Sequence, residues 1–454
     1  GNILKGKEGK YHLFVCGWPE NAEKGHMEWP NSTVYHAVSK QLHGPYTIQD
    51  TVGKGHNPEA FTLTDGRIVV YVINGYYIAN SMNGPWEFKQ FDFNPRDRKI
   101  IEGLSNLTFA RRQDGSRLMI CRGGGVWISR TGTSPYNQIT EKRAYPDVEG
   151  EFEDPVVWRD SLQYHLIVND WLGRIAFYQR SPDGVHWVTE QGEAYVPGIS
   201  RHKDGKVENW FKYERAKVYQ DKEGRPIQMN FAVIDTIKWE DHGNDRHSSK
   251  NICIPLKKDL LLSVLNTVPI DASTPTIEVR IAAEKGFNPS RQLDIPSLGS
   301  FNEVNFGRGC KPLSWKKEGK DLIVTFEGKG SGITAEEFAP KLIGKDKKGE
   351  FVIGYAHLPY INYKPAILSA LRPRYDEANK QWKVEVQNFG LSASEETTLK
   401  ITSNGLTVAE TLLPKLKPYE TKTVSIKGEN QLEDQRLVSV KFYRNGNETA
   451  VNKF

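Results

Sequence analysis

A chain of 454 residues is long enough for two or three domains, and its 38% hydrophobic and 26% charged residues fit a globular, soluble protein. Sixty-one basic residues against 56 acidic ones leave a charge of +5. With no Lys/Arg run or RNA-binding motif, this argues against nucleic acid, and an acidic polysaccharide is the more natural anionic partner. No apolar stretch approaches the roughly 18 residues of a membrane span, Leu260–Leu265 included, so none is expected.

The chain starts at Gly1 without Met, which reads as a processed or engineered start with an export signal removed. The expected location is periplasmic or extracellular. Cys16, Cys121, Cys253 and Cys310 lie far apart with no CxxC or Cys/His metal spacing and read as free thiols, mostly buried.

Along the first 260 residues a degenerate cassette recurs: a strand, a DG-type turn, an aromatic-rich strand, a loop, and a third strand containing Ser. Each copy ends in a corner: Gly44-Pro45-Tyr46, Gly84-Pro85-Trp86, Ser134-Pro135-Tyr136 and Asp183-Gly184 before Trp187. A repeat of about 40–60 residues built from short strands indicates propeller blades. Blade 1 is expected from about Gly9 to Gln49, blade 2 from His56 to Gln90 and blade 3 from Leu104 to Thr140. Blade 4 runs from Phe152 to Val188, and blade 5 from Tyr213 to about Leu256 with a long loop, Asp235–Lys250. Gly123-Gly124-Gly125 sits between two strands and reads as a tight turn, not a phosphate loop. No amphipathic helix of any length is visible.

From Thr274 the texture changes. Alternation in Thr276–Ile281 and Asp321–Phe326 predicts a β-sandwich module, and Trp382–Val386, Thr398–Ile401 and Val438–Phe442 predict a final immunoglobulin-like one. The expected fold is all-β: a five-bladed β-propeller over 1–270, a β-sandwich over 271–359, and an immunoglobulin-like β-sandwich over 360–454. The last unit carries no catalytic constellation and reads as structural or docking.

Propellers assemble their sites from the loops entering successive inner strands. Here those entrances are Gly55–Glu59, Glu102–Asn106, Glu151–Pro155 and Lys212–Arg215. They bring three acids toward the axis: Glu59, Asp154 and Glu214. Glycosidic cleavage needs an acid to protonate the leaving oxygen and a base or nucleophile opposite it. A third carboxylate nearby raises the pKa of the acid. The bland readings are a backbone preference for Asp-Pro at a strand start and an ordinary Glu214–Arg215 ion pair. Expected substrate contacts are His56, Asn57, Trp18, Trp29, Tyr77, Arg122, Asn169, Asp170, Trp171 and Arg215. Trp18, Trp29 and Trp171 sit in loops, where rings stack on sugars more readily than they fill cores. The loop Asp241–His247 matches no zinc spacing and reads as solvated.

With its five blades, Asp154-Pro155 opening an inner strand and Glu214 opening the next, the chain resembles the five-bladed β-propeller glycoside hydrolases of families 43, 32 and 117. The Asn169–Arg174 segment with the appended sandwich is similar to bacterial proteins that degrade plant or algal glycans. The resemblance implies Asp154 as the tuning residue, Glu214 as the acid and Glu59 as the base. It departs at blade 1, where an Asp base is usual and only Gly1-Asn2-Ile3-Leu4 stands. The implied activity is removal of a terminal sugar from a plant or algal polysaccharide or oligosaccharide. No cofactor is expected; the architecture allows a structural cation in the channel, and no metal ligands are assigned. Two other readings stay open: a polysaccharide lyase, with His56 or a Tyr as base and Arg215 against a uronate, and a non-catalytic glycan-binding propeller.

Overall fold

A computed structural model describes residues 1–101, 104–171, 174–299, 309–329, 331–428 and 438–454. Glu102 and Gly103 of the blade 3 entrance, and Leu172 and Gly173 of the Asn169–Arg174 segment, lie outside the described residues. The regular structure of the described chain is nearly all strand, joined by turns and loops, with one short α-helix at Pro289–Gln292 and 3-10 turns at Gly25–Asn31 and Lys238–Glu240. Among the described residues no helix is long and apolar enough to cross a membrane.

Five blade sheets follow one another through residue 255, with a separate two-stranded hairpin, Ile199–Arg201 and Val207–Asn209, between the fourth and the fifth. Blade 1 is Asn2–Lys5, Tyr11–Gly17, Thr33–Ser39 and Thr47–Lys54. Blade 2 is Glu59–Thr62, Ile68–Val72, Gly75–Ala79 and Glu87–Gln90. Blade 3 is Thr108–Arg111, Arg117–Ile120, Val126–Ser129 and Tyr136–Gln138, with Phe93–Asn94 added in parallel at its outer edge. Blade 4 is Phe152–Arg159, Tyr164–Asp170, Ile175–Ser181 and Val188–Thr189; blade 5 is Lys212–Gln220, Pro226–Ile234 and Ser249–Pro255. Each blade starts at its inner strand, so blade 1 begins at Asn2 and not near Gly9.

The inner strands stand side by side about an axis, and Asn2–Lys5 touches both Glu59–Thr62 and Lys212–Gln220, which closes the wheel. Polar pegs join neighbours: Asn2 Oδ1 accepts from the Ala60 amide at 2.9 Å, and Thr108 Oγ1 accepts from the Val157 amide at 3.0 Å. Aromatic side chains fill the wedges. Phe61, Tyr71, Phe109 and Tyr136 pack between blades 2 and 3, with the Tyr71 and Phe109 ring centroids 4.4 Å apart. Packing of this kind explains much of the aromatic content before any ring is assigned to a ligand.

The second module is one seven-stranded sheet whose edge strands, Leu293–Gly299 and Pro312–Glu318, approach each other, so the sheet folds back around a single core. Leu260–Val264 belongs to this sheet, paired with Thr276–Ile281 and, in parallel, with Phe351–His357. The propeller therefore ends at Pro255, not at 270. The third module is a sandwich of two four-stranded sheets around Trp382, Val384, Leu399, Ile401, Val440 and Phe442.

Candidate active site

The inner strands of blades 2 to 5 enter in one repeating frame. Asn57, Asn106, Asp154 and Arg215 all hold left-handed backbone conformations, with φ of 55°, 49°, 54° and 51°. Asn and Asp tolerate that region, but Arg does so rarely, so the repetition marks an equivalent corner in each blade. The residue just before this corner is His56, Ser105, Glu153 or Glu214, and all four face a cavity of about 510 Å³ at the mouth of the wheel. Two residues after the corner come Glu59, Thr108, Val156 and Lys217, one layer further in.

One oxygen from each of Glu153, Asp154 and Glu214 lies within 4.8 Å of the others. Such crowding is costly without counter-charge. Arg215 donates to Asp154 through NH1 at 2.8 Å and through its backbone amide at 3.2 Å. Lys212 and Lys238 bring their ammonium groups to 2.7 and 2.9 Å from Glu214 Oε1, and Arg122 Nε lies 3.5 Å from Glu153 Oε1. The three carboxylates thus form an ion-paired set. Burial, and then the Asp154 charge beside it, push the Glu153 carboxyl above the usual glutamate range. Burial works the same way on Asp154, but Arg215 and Lys238 outweigh it and hold that carboxyl below its usual value. The two adjacent acids are driven in opposite directions, which is how one site separates a proton donor from a permanent anion.

An aromatic wall stands beside the acids. Trp29 lies 5.1 Å and Trp18 6.3 Å from the His56 ring, centroid to centroid. His56 accepts or donates at Ser32 Oγ, 2.9 Å away, and burial followed by the Arg215 charge lowers its pKa to about 3. The wall is held by two loops that interlock across the mouth: His26 N donates to Asp241 O at 3.1 Å, and Asn244 N donates to Glu20 O at 3.3 Å.

Of the residues expected from sequence, Asp154, Glu214, His56, Asn57, Trp18, Trp29, Arg122 and Arg215 line this cavity. Glu59 does not; it is buried against Lys217 in an ion pair below the floor, so the mouth receives no base from it. Tyr77 lies at the seam of blades 1 and 2, donating to Lys54 O at 2.7 Å. Asn169 and Asp170 are buried in blade 4, and Trp171 is covered by the Lys212 ammonium, 4.9 Å from its ring centroid. Glu153, Asn106, Lys217 and Lys238 also line the cavity and were not singled out from sequence. Glu153 was legible as the residue preceding Asp154 at the same entrance; nothing in the sequence marks Lys238.

A family model described as CARDB matches residues 367–450, within the third module. A comparison with curated proteins finds no match. Among solved structures the chain is similar to a GH43 β-xylosidase/α-arabinofuranosidase from a compost microbial metagenome, at 11% identity over 56% of this chain and 90% of that one, with a TM-score of 0.39. It is similar to an α-L-arabinofuranosidase from Lactobacillus brevis at 11% identity, over 56% of this chain and 89% of that one, TM-score 0.37. A GH43 protein from Bacillus licheniformis aligns over 99% of this chain and 88% of its own at 10% identity, TM-score 0.37.

Proposed function

We propose that the chain is a glycoside hydrolase that removes a terminal sugar from a plant or algal polysaccharide or oligosaccharide at the mouth of its propeller. The observation that carries this reading is the Glu153–Asp154–Glu214 cluster opening into a cavity walled by Trp18 and Trp29. Glu153, whose carboxyl is pushed above the usual glutamate range, donates its proton to the leaving oxygen. Asp154, kept anionic by Arg215, stabilises the positive charge that develops on the sugar ring. Glu214 is the carboxylate that meets the anomeric carbon. The interlocked loops wall one side of the mouth, which suits a chain end better than a mid-chain segment.

The lyase reading loses both candidate bases: a histidine with a pKa near 3 is a poor acceptor for a carbon-bound proton, and no tyrosine is among the described residues that line the cavity. The test is a panel of plant and algal oligosaccharides. The chain should release reducing sugar without an ultraviolet-absorbing unsaturated uronide, and Glu153→Gln and Glu214→Gln should each lower turnover by about 100-fold or more while still binding ligand. Undiminished turnover in both variants refutes the assignment, and ligand binding without turnover in the unaltered chain leaves a glycan-binding propeller.

A further inference from the structure

The four left-handed corners are joined to one another. Asn57 Nδ2 donates to Asn106 Oδ1 at 2.7 Å, across blades 2 and 3. Because that oxygen is taken, the Asn106 amide must turn its Nδ2 toward blade 4, where it donates to Asp154 Oδ1 at 3.0 Å and to Glu153 Oε1 at 3.2 Å. From blade 5, Arg215 NH1 donates to the same Asp154 Oδ1, and Arg215 NH2 reaches back to Asn57 O at 3.5 Å. The circuit runs once around the axis, and both of its arms end on Asp154. Asn106 and Asp154 are each buried, so these bonds are sheltered from competing water.

We propose that Asn106 is a positioning residue of this site: with Asn57 and Arg215 it closes a hydrogen-bonded ring that holds the Glu153 and Asp154 carboxyl groups side by side and aims its donors at both. The proposal rests on the hydrolase reading for the use of the two acids, but not for the ring itself. Donation by an N–H favours the ionised form of the carboxyl that receives it. Asn106 therefore relieves the repulsion between the pair, and its loss should make Glu153 hold a proton more tightly still.

Other charges face the pair. Arg122 comes from blade 3; Glu214, Arg215 and Lys217 come from blade 5; and Lys238 comes from the blade 5 loop. His56 approaches from blade 2, and the phenols of Tyr145 and Tyr195 lie behind the acids. None of these supplies a donor to both carboxyls at once; among the described residues only Asn106 does.

The experiment is an infrared pH titration of the full chain, with the protonated-carboxyl band of Glu153 identified by its loss in Glu153→Gln. Asn106→Asp keeps the size and backbone tolerance of the residue but replaces the donor with a carboxyl. It should move the Glu153 midpoint upward by about one pH unit or more, a tenfold change in its proton affinity. Asn106→Gly keeps the left-handed corner without the amide and should move the midpoint in the same direction by less; it serves where Asn106→Asp fails to fold. A merely structural Asn106 would lower the melting temperature and leave the midpoint in place in Asn106→Gly, which adds no charge beside the acids, and that result overturns the proposal. A shifted midpoint in a chain that cleaves no glycan upholds the ring and removes the hydrolase reading. An unmoved midpoint in a chain that does cleave one overturns the ring alone.

Discussion

Glu59 and Lys217 form a buried ion pair beneath the cavity, each almost fully covered. Removing one partner strands the other charge in a low-dielectric interior, which costs about 3–5 kcal/mol. Urea unfolding should show a loss of that order for Lys217→Met and for Glu59→Gln, with most of it recovered in the double variant. A Glu59→Gln chain of unaltered stability and no turnover would restore Glu59 as a base. The sequence could not settle this because it shows which acids open the blades but not the frame they share. Glu59, Asp154 and Glu214 all stand near strand entrances, yet relative to the left-handed corner they occupy the second residue after it, the corner itself and the residue before it. A slip of a residue or two along a strand moves a side chain from mouth to floor. His56 carries a pH consequence at the same scale. Its pKa falls from 6.5 unfolded to about 3 folded, so the unfolded chain binds more protons between those values, and stability drops as pH is lowered through that window. His56→Gln should flatten that acid limb by a few kcal/mol at its low end, at about 1.4 kcal/mol per pH unit. His26 and His36, whose pKa values burial also lowers, leave a residual slope. A limb unchanged in His56→Gln would show that the imidazole is already free to protonate in the folded chain.

Blades were readable as elements because each turn carries its own chemistry. Asp65-Gly66 and Asp114-Gly115 sit between paired strands, and both glycines take the positive φ such turns need. The inner strand of blade 1 was missed because Asn2–Lys5 is short and its partner, Tyr11–Gly17, alone shows a strong pattern. The long loops were harder, since what fixes them is contact between distant segments. Gly25, at φ 51°, lies so close to Asp241 O that a Cβ would overlap it, and a Cβ on Gly243 would overlap Ala22 O. These two glycines let the Trp18–Trp29 segment and the blade 5 loop pass through one another's space. Gly25→Ala should part the loops and displace the aromatic wall while leaving the blades folded. Ligand affinity should then fall about tenfold, roughly 1.4 kcal/mol, with little change in melting temperature and faster proteolysis within residues 18–31. Equal affinity in the variant would mean that the wall contributes nothing to binding.

Across the whole molecule, the underside of the wheel is fastened to the later modules by arginines that have left water. Arg96 donates to Ser369 Oγ at 3.1 Å and to Ser369 O at 2.9 Å, Arg98 to Ala370 O at 3.1 Å, and Arg112 to Phe389 O at 2.8 Å. Arg180 does the same for the second module through Ala339 O at 3.0 Å. Burial lowers the Arg98 pKa to about 10, so the guanidinium stays charged at neutral pH and must be satisfied where it lies. Ile128 and Ile139 of the wheel also share an apolar cluster with Ile367 and Phe389. Nothing in the sequence marks these arginines, because a charge beside apolar neighbours reads the same whether its partner is water or a distant carbonyl. The third module is therefore part of the propeller's packing, and the full chain should melt in one cooperative transition. Charged hydrogen-bonding groups of this kind contribute about 1.5–3 kcal/mol each. Changing Arg96 and Arg112 together to Met should lower the transition by about 5–10 °C, and calorimetry should resolve two transitions, the propeller melting apart from residues 367–454. A double variant that still melts as one unit at the original temperature would show that the seam is held by the apolar cluster and the blade 4 contacts without them.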